Sequence, residues 1–373
     1  MIAAEILHKF ISKATRTGQG FALWFFPDEE IIRAIVHKNG DVIQTPANLP
    51  PETESGFVFS PFIPSDKYPT IILHPDHYLK GLKEIEDFVN DDIAGKIETP
   101  IFESNNIYTS TSYEDYIDGC ESIINRIKNG RAEKVVYSRL KVVPDKGGKS
   151  PGELILSLKE KYPAAFCYLF YTPKTGFWMG ATPETFLRKE NSIIKTMALA
   201  GTRKRTTPEN IGEPWPAKEI REQQYVSDFI KDELRKLGIG NLKISEPNTS
   251  GAGTIEHIRT DFEFSIEKNM DVFNQIIEAL HPTPAVCGQS KNQALQIIRE
   301  TENHDREYYT GFLGTYNIDE KIELFVNLRC SKITNSGFVL FVGGGITADS
   351  LAENEWEETT MKAKILGLIL PTA

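Results

Sequence analysis

The sequence predicts an α+β fold, on three observations. Strand-like apolar runs interleave with helical patterns, but without the strict βαβ alternation of a doubly wound sheet. The strand runs are short and parted by turn residues, as in antiparallel meanders. No repeat of roughly 20 to 50 residues is visible, so a solenoid or propeller is not expected. The length of 373 residues leaves the domain count open, because large sheet proteins run past the usual size of one domain.

Taken in order, residues 1 to 110 mix apolar runs (FALWFF, FVFSPFIP, TIILHP) with Pro and Gly, and read as short strands joined by turns. Ser112 precedes Tyr116, Ile117, Cys120, Ile123, Ile124 and Ile127 on one helical face, and Gly130 stops the pattern, which predicts a helix over 113–129. KVVYSRLKVV follows as a strand. AFCYLFY, GFWMG, TFLRK and IIKTMAL, parted by PKTG, ATPE and KENS, read as a meander. Polar loops are expected over 203–217 and 245–254, with a long helix between them that Gly238 closes. A helix over 271–280 leads into LHPTPAVCG, whose prolines forbid regular structure. Beyond a helix over 288–301, IELFVNLRCSKI and GFVLFVGG read as two strands, then GGGIT as a connection to a helix from about 350.

Composition narrows the function. The net charge of -10 disfavours nonspecific nucleic-acid binding, although Arg203-Lys204-Arg205 offers a local patch for a small anion. No apolar run reaches the roughly 18 residues of a membrane span. The N-terminal stretch has charges among apolar residues at helical spacing, so no export signal is read. Cys120, Cys167, Cys287 and Cys330 are scattered without a CxxC pair, which suits a reducing compartment and does not resemble a zinc site. A cytoplasmic location and a small-molecule substrate are expected. His74 and His77, in HPDH, lack a third ligand and read as a structural loop.

Two acidic stretches carry the first chemical signal. Glu219 and Glu222 are three residues apart on one predicted helix, as are Glu355 and Glu358 on another, so each pair projects from one face. Two such faces brought together would suit a hard divalent cation such as Mg²⁺; the bland alternative is a pair of solvated helix faces. Arg329 falls on the more polar face of its strand, where it can fork onto a substrate carboxylate or make a structural ion pair. Gly343, Gly344 and Gly345 lie between a strand and a helix, where backbone N–H groups can approach an anion, but they lack the spacing of a dinucleotide fingerprint. Lys134 alternates with Val136, Ser138 and Leu140 on a mostly apolar face, and Glu184 opens a strand after a turn. Burial moves a lysine and a carboxyl in opposite directions, toward use as a base and an acid.

Seven ordered motifs then match one family: EKVVYSR (133–139), GATPETF (180–186), LAGTRKR (199–205), HPTPAVCG (281–288), DREYYTGFLG (305–314), NLRCSK (327–332), and GGGITADS with EWEETTMK after it. Over about residues 110–370 the chain resembles the chorismate-binding enzymes, which include isochorismate, salicylate, anthranilate and aminodeoxychorismate synthases. The resemblance implies a single domain over 1–373, with 1–110 its less distinctive part and the core motifs in 111–370. It implies the architecture of anthranilate synthase component I: two packed, antiparallel-rich sheets, flanked by helices, with the active site between them.

The resemblance also implies roles. Glu222 and Glu358 would hold Mg²⁺, with Glu219 and Glu355 behind them or bound through water. The metal would take the ring carboxylate of chorismate, beside Lys362. Arg329 and Tyr309 would take the enolpyruvyl carboxylate, and Gly201, Thr202 and Gly343 to Gly345 would lie along the substrate. Lys134 would deprotonate a water that attacks C2, while Glu184 protonates the departing C4 hydroxyl. Ammonia-using members carry Gln at the position of Lys134, and aminodeoxychorismate synthases often carry Lys where this chain has Ala200. Water as nucleophile, with no amidotransferase subunit, is therefore expected. His257 corresponds to the family histidine near C2. Ala285 points to isochorismate synthase, whereas Tyr309 is the residue salicylate synthases use, and a noncatalytic chorismate-binding protein is the rival class. Gln223 departs from the Glu-His of many relatives, and Glu357 stands where some have Arg. Menaquinone and siderophore routes both begin with this reaction.

Overall fold

The computed structural model describes residues 2–38, 43–45, 54–91, 107–205, 213–252, 255–266 and 270–370. Its strands are β1 (Gly20–Phe25), β2 (Arg33–His37), β3 (Ile43–Thr45), β4 (Gly56–Ser60), β5 (Thr70–Leu73), β6 (His77–Lys80), β7 (Lys134–Pro144), β8 (Phe166–Thr172), β9 (Gly176–Thr182), β10 (Thr185–Glu190), β11 (Ile193–Lys204), β12 (Lys243–Ile244), β13 (Asn248–Ala252), β14 (Ile255–Ser265), β15 (Gly288–Gln289), β16 (Phe312–Ile318), β17 (Lys321–Val326), β18 (Cys330–Thr334) and β19 (Gly337–Ile346). Its helices are α1 (Ile2–Arg16), α2 (Leu82–Asn90), α3 (Tyr113–Lys128), α4 (Pro151–Lys161), α5 (Ala217–Lys236), α6 (Met270–Leu280), α7 (Lys291–Thr301) and α8 (Ala352–Gly367).

One sheet runs β15-β7-β19-β18-β9-β8-β1-β2-β6 and the other β12-β14-β11-β10-β17-β16-β4-β5-β3, with β13 beside β14. All of their pairings are antiparallel. Residues 1–110 supply strands to both sheets.

The strand β1 shows why the sequence lacks clean alternation: both of its faces are buried. Phe21, Leu23 and Phe25 pack with Leu7 and Phe10 of α1 and Leu158 of α4, whereas Ala22 and Trp24 face the layer between the sheets. On the far side, Val226 and Ile230 of α5 and Phe273 of α6 cover Leu187, Ala198, Phe262 and Leu324. The layers thus run helices, sheet, sheet, helices.

Local signals set the helix ends. The Oγ of Ser112 accepts from the N–H of Asp115 at 3.0 Å. At α4, Ser150 and Glu153 form a reciprocal capping box with Pro151 in the first turn. That signal was available in the sequence, yet α4 and α2 fall in stretches read as strands and turns.

Four expectations are corrected. IELFVNLRCSKI is two strands in different sheets, since the chain leaves β17 and enters β18 through Asn327–Arg329, with Arg329 at φ 48°. The expected meander is likewise divided: β8 and β9 lie in one sheet, β10 and β11 in the other, with the passage at Pro183–Glu184. A period of two says which residues share a face, but not to which sheet a strand belongs. Finally, Gly343 to Gly345 are not a loop. They are the end of β19, opposite Ser138, Tyr137 and Val136 of β7. The expected loop over 245–254 also contains β13, paired with β14.

Candidate active site

A cavity opens between the sheets where both passages meet. Glu184, Gly201, Thr202, Glu222, His257, Ala285, Tyr309, Arg329, Gly343 to Gly345 and Lys362 line it, together with apolar residues such as Val136, Leu199 and Phe341. Twelve of the sixteen residues singled out in the sequence are therefore on one wall or another. Lys134, Glu219, Glu355 and Glu358 stand behind that surface.

The two passages between sheets deliver the acid and the guanidinium. The N–H of Val326 donates to the carbonyl of Glu184 at 2.9 Å, so the end of β17 is tied to the turn before β10. Glu184 is only 3% exposed, and burial pushes its carboxyl up to about 8 against the pull of Lys134 and Arg329. It holds its proton at neutral pH. Arg329 donates to Nε2 of His257 at 3.0 Å and makes no salt bridge among the described residues. Burial brings its guanidinium down to about 10, still charged at neutral pH.

His257 is held from both sides. Its Nδ1 lies 3.0 Å from the carbonyl of Gly201 and its Nε2 faces the Arg329 donor, an arrangement that the Nδ1–H tautomer satisfies. Burial, then Arg329 and Lys362, keep the ring neutral by lowering it to about 3. The ring of Tyr309 stacks on Phe341 at 5.7 Å, and a Cβ at Gly343 would stand 3.1 Å from its hydroxyl.

The acidic faces of α5 and α8 meet beside β19. Lys134 Nζ pairs with Glu222 at 2.8 Å, Lys218 with Glu355 at 2.6 Å and Lys362 with Glu358 at 2.7 Å. Lys362 also donates to the carbonyl of Gly343 at 3.0 Å. Glu219 accepts from the N–H of Thr202 at 2.7 Å. Burial, with Glu222 beside it, pushes Glu219 up to about 7. Burial opposes the charge of Glu222, but Lys134, Lys218 and Lys362 outweigh it and hold that carboxyl below its usual range.

The glycines make room for this group. A Cβ at Gly345 would stand 2.5 Å from Glu222 Oε1 and 2.8 Å from Lys134 Cε, and one at Gly344 3.4 Å from Glu355 Oε2 and 3.7 Å from Glu358 Oε1. Among the described residues no three His, Cys, Asp or Glu side chains form a ready-made metal cluster, since lysines hold three of these carboxylates. Glu355 Oε2 is nonetheless buried without a hydrogen-bond partner, on the side facing Glu358. Hard oxygen donors converging there fit Mg²⁺.

Sequence reasoning missed two supports. Arg306 donates to the carbonyls of Val136 at 2.6 Å and Val286 at 2.8 Å while paired with Glu302, so one buried guanidinium joins two cavity walls. Lys218 was also missed, although a cation in the first turn of a helix opposes the helix dipole and was a readable anomaly. Arg203, of the Arg203-Lys204-Arg205 patch, pairs with Glu256 at 2.6 Å, and His74, read as part of a structural loop, contacts the carbonyl of Ser55 at 3.1 Å.

A family model described as chorismate binding enzyme matches residues 73–370. The chain is 28% identical over 266 residues to the vibriobactin-specific isochorismate synthase of Vibrio cholerae, covering 70% of this chain and 67% of the relative. It is 30% identical over 240 residues to the isochorismate synthase EntC of Escherichia coli, covering 62% and 61%. The matched segments thus span about three fifths to two thirds of these relatives. The menaquinone-specific isochorismate synthase MenF of Escherichia coli superposes with a TM-score of 0.77 at 20% identity, over 97% of this chain and 91% of that one. This chain belongs to the chorismate-binding enzyme family, and its α+β architecture of two antiparallel sheets is the one that the family resemblance implied. No helix among the described residues is long and apolar enough to cross a membrane.

Proposed function

We propose that this chain is an isochorismate synthase, active as a single catalytic domain without an amidotransferase subunit, in the cytoplasm. The observation that carries the reading is Glu184: a buried carboxyl that keeps its proton, beside a charged Arg329 with no carboxylate of its own. That pairing suits a substrate with a carboxylate to bind and a hydroxyl to lose. The names of the relatives in Vibrio cholerae and Escherichia coli support the same choice.

In this reading Arg329, held by His257, binds the enolpyruvyl carboxylate, with the Tyr309 hydroxyl beside it. Glu184 protonates the C4 hydroxyl as it leaves. Lys134, once it has passed its own ammonium proton to Glu222 or to solvent, accepts as a neutral amine the proton of the water that attacks C2. Glu222 and Glu358 hold Mg²⁺, with Glu219 and Glu355 behind them. Bound there, the ion supplies positive charge for the ring carboxylate of chorismate.

The test is to incubate the purified protein with chorismate and Mg²⁺, with and without EDTA, and to identify products by liquid chromatography with mass detection. Isochorismate that disappears with EDTA is expected. Salicylate with pyruvate would move the protein to the salicylate branch, and an aminated product formed with ammonium would remove water as nucleophile. Lys134→Ala is expected to abolish turnover while leaving Mg²⁺-dependent chorismate binding; retained turnover would remove this lysine from the mechanism.

A further inference from the structure

The acidic site holds four carboxylates and three ammonium groups, and the three lysines are not equivalent. Lys134 is fully buried against Glu222, and Lys362, its side chain 25% exposed, pairs with Glu358 on its own helix and also donates to the carbonyl of Gly343. Lys218 comes from the first turn of α5 and reaches across to α8, where it covers Glu355 Oε1 at 2.6 Å. Its side chain stays 28% exposed, whereas that of Glu355 is 1% exposed. The other oxygen of Glu355 is buried, has no hydrogen-bond partner, and points to the space beside Gly344 that Glu358 also faces.

We propose that Lys218 is a built-in counter-ion that occupies the place of a second cation and so limits the carboxylate site to one divalent metal. The proposal rests on the metal site proposed above. A buried carboxylate with one oxygen open and the other covered by an ammonium can give only the open oxygen to a metal. Carboxylate-rich sites in other enzymes hold two metal ions about 3.5–4 Å apart. With Lys218 in place, Glu355 Oε1 cannot serve a second ion, because the ammonium already stands on it at 2.6 Å. Removing the ammonium frees Glu355 Oε1 and raises the negative charge of the cluster by one.

The experiment counts metal rather than activity. Apoprotein is titrated with Mn²⁺ alone, and free Mn²⁺ is measured by electron paramagnetic resonance, for the wild type and for Lys218→Met and Lys218→Arg. One site is expected in the wild type and in Lys218→Arg, and two in Lys218→Met, the second within about tenfold of the first in affinity. Lys218 is partly exposed near a helix end, and thermal melting checks that each variant is folded. Two sites in the wild type, or one or none in folded Lys218→Met, would overturn the proposal. If Lys218→Met fails to fold, Lys218→Gln replaces it in the same count. A wild type that binds no Mn²⁺ would instead sink the metal site itself, and with it the reading on which this inference rests.

Discussion

The layer between the two sheets has an aromatic half and a charged half, and the same backbone builds both. In the first, Phe166 of β8 stacks on Phe325 of β17 at 4.2 Å and Phe170 of β8 packs on Phe59 of β4 at 4.3 Å, so rings from opposite sheets fill the space, while Trp178 stacks on Phe341 at 5.2 Å within one sheet. In the second, β19 presents glycines where it earlier presented Val339 and Phe341, and lysines and glutamates occupy what the rings would have filled. Phe341 and Tyr309 stand on the boundary, packed in the aromatic cluster and exposed on the cavity wall at once. One half is a core that stabilises. The other is a candidate site whose charges are costly to bury.

The largest effect expected is from Glu184→Gln, which should lower kcat by about 10²–10⁴-fold, the usual worth of a positioned general acid. In the wild type, kcat should fall as pH rises through about 8, where Glu184 loses its proton, and that limb should vanish in the variant. Stability should fall with rising pH as well. The folded carboxyl binds its proton more tightly than the unfolded one, so wild-type stability falls as pH rises from the ordinary carboxyl range through about 8. Glu184→Gln, with no charge to bury, should then unfold at higher urea than the wild type at pH 9 and show less advantage at pH 4.

Trp178→Ala, in the aromatic half, should instead cost about 3–5 kcal/mol of stability through the cavity it leaves. The binding of chorismate by protein that remains folded should change much less. Urea denaturation beside steady-state kinetics separates the two quantities, and a loss confined to activity would dissolve the division between the halves.

Gly345→Ala should lower kcat/KM by about 100-fold, since its Cβ displaces Glu222 or Lys134 by an ångström or so. The neighbouring Gly344→Ala displaces no side chain but puts its Cβ 3.4 Å from Glu355 Oε2 and 3.7 Å from Glu358 Oε1, so its smaller effect, about tenfold, should appear as a raised Mg²⁺ requirement in a metal titration. Equal effects at the two positions would mean that β19 yields as a whole rather than through the side chains it faces.

Much of this was legible in the chain. The E-x-x-E spacings put Glu219 with Glu222 and Glu355 with Glu358, and the structure does bring those two helix faces together. Lys134 on an apolar strand face is fully buried. The alternation that placed Arg329 on a polar strand face failed, however, because Arg329 is not in a strand. It turns the chain between sheets, and nothing in local periodicity distinguishes that from continuation. The glycines were read for what their amides could bind, whereas their contribution lies in the Cβ atoms they lack. Lys218 was passed over since its partner lies 137 residues away on another helix, a distance that spacing cannot bridge.

The placement of β19 has a consequence for synthesis. It lies between β7 and β18 in the sheet order, yet it follows β7 by about two hundred residues. At roughly 5–20 residues per second, β7 waits about 10–40 s on the ribosome before its neighbour is made. Until then the strand that carries Lys134 has an open edge, and the glycines of β19 that leave room for Glu222 are not yet made. The nascent chain therefore passes through a period in which Lys134 is part of an unfinished, adhesive surface.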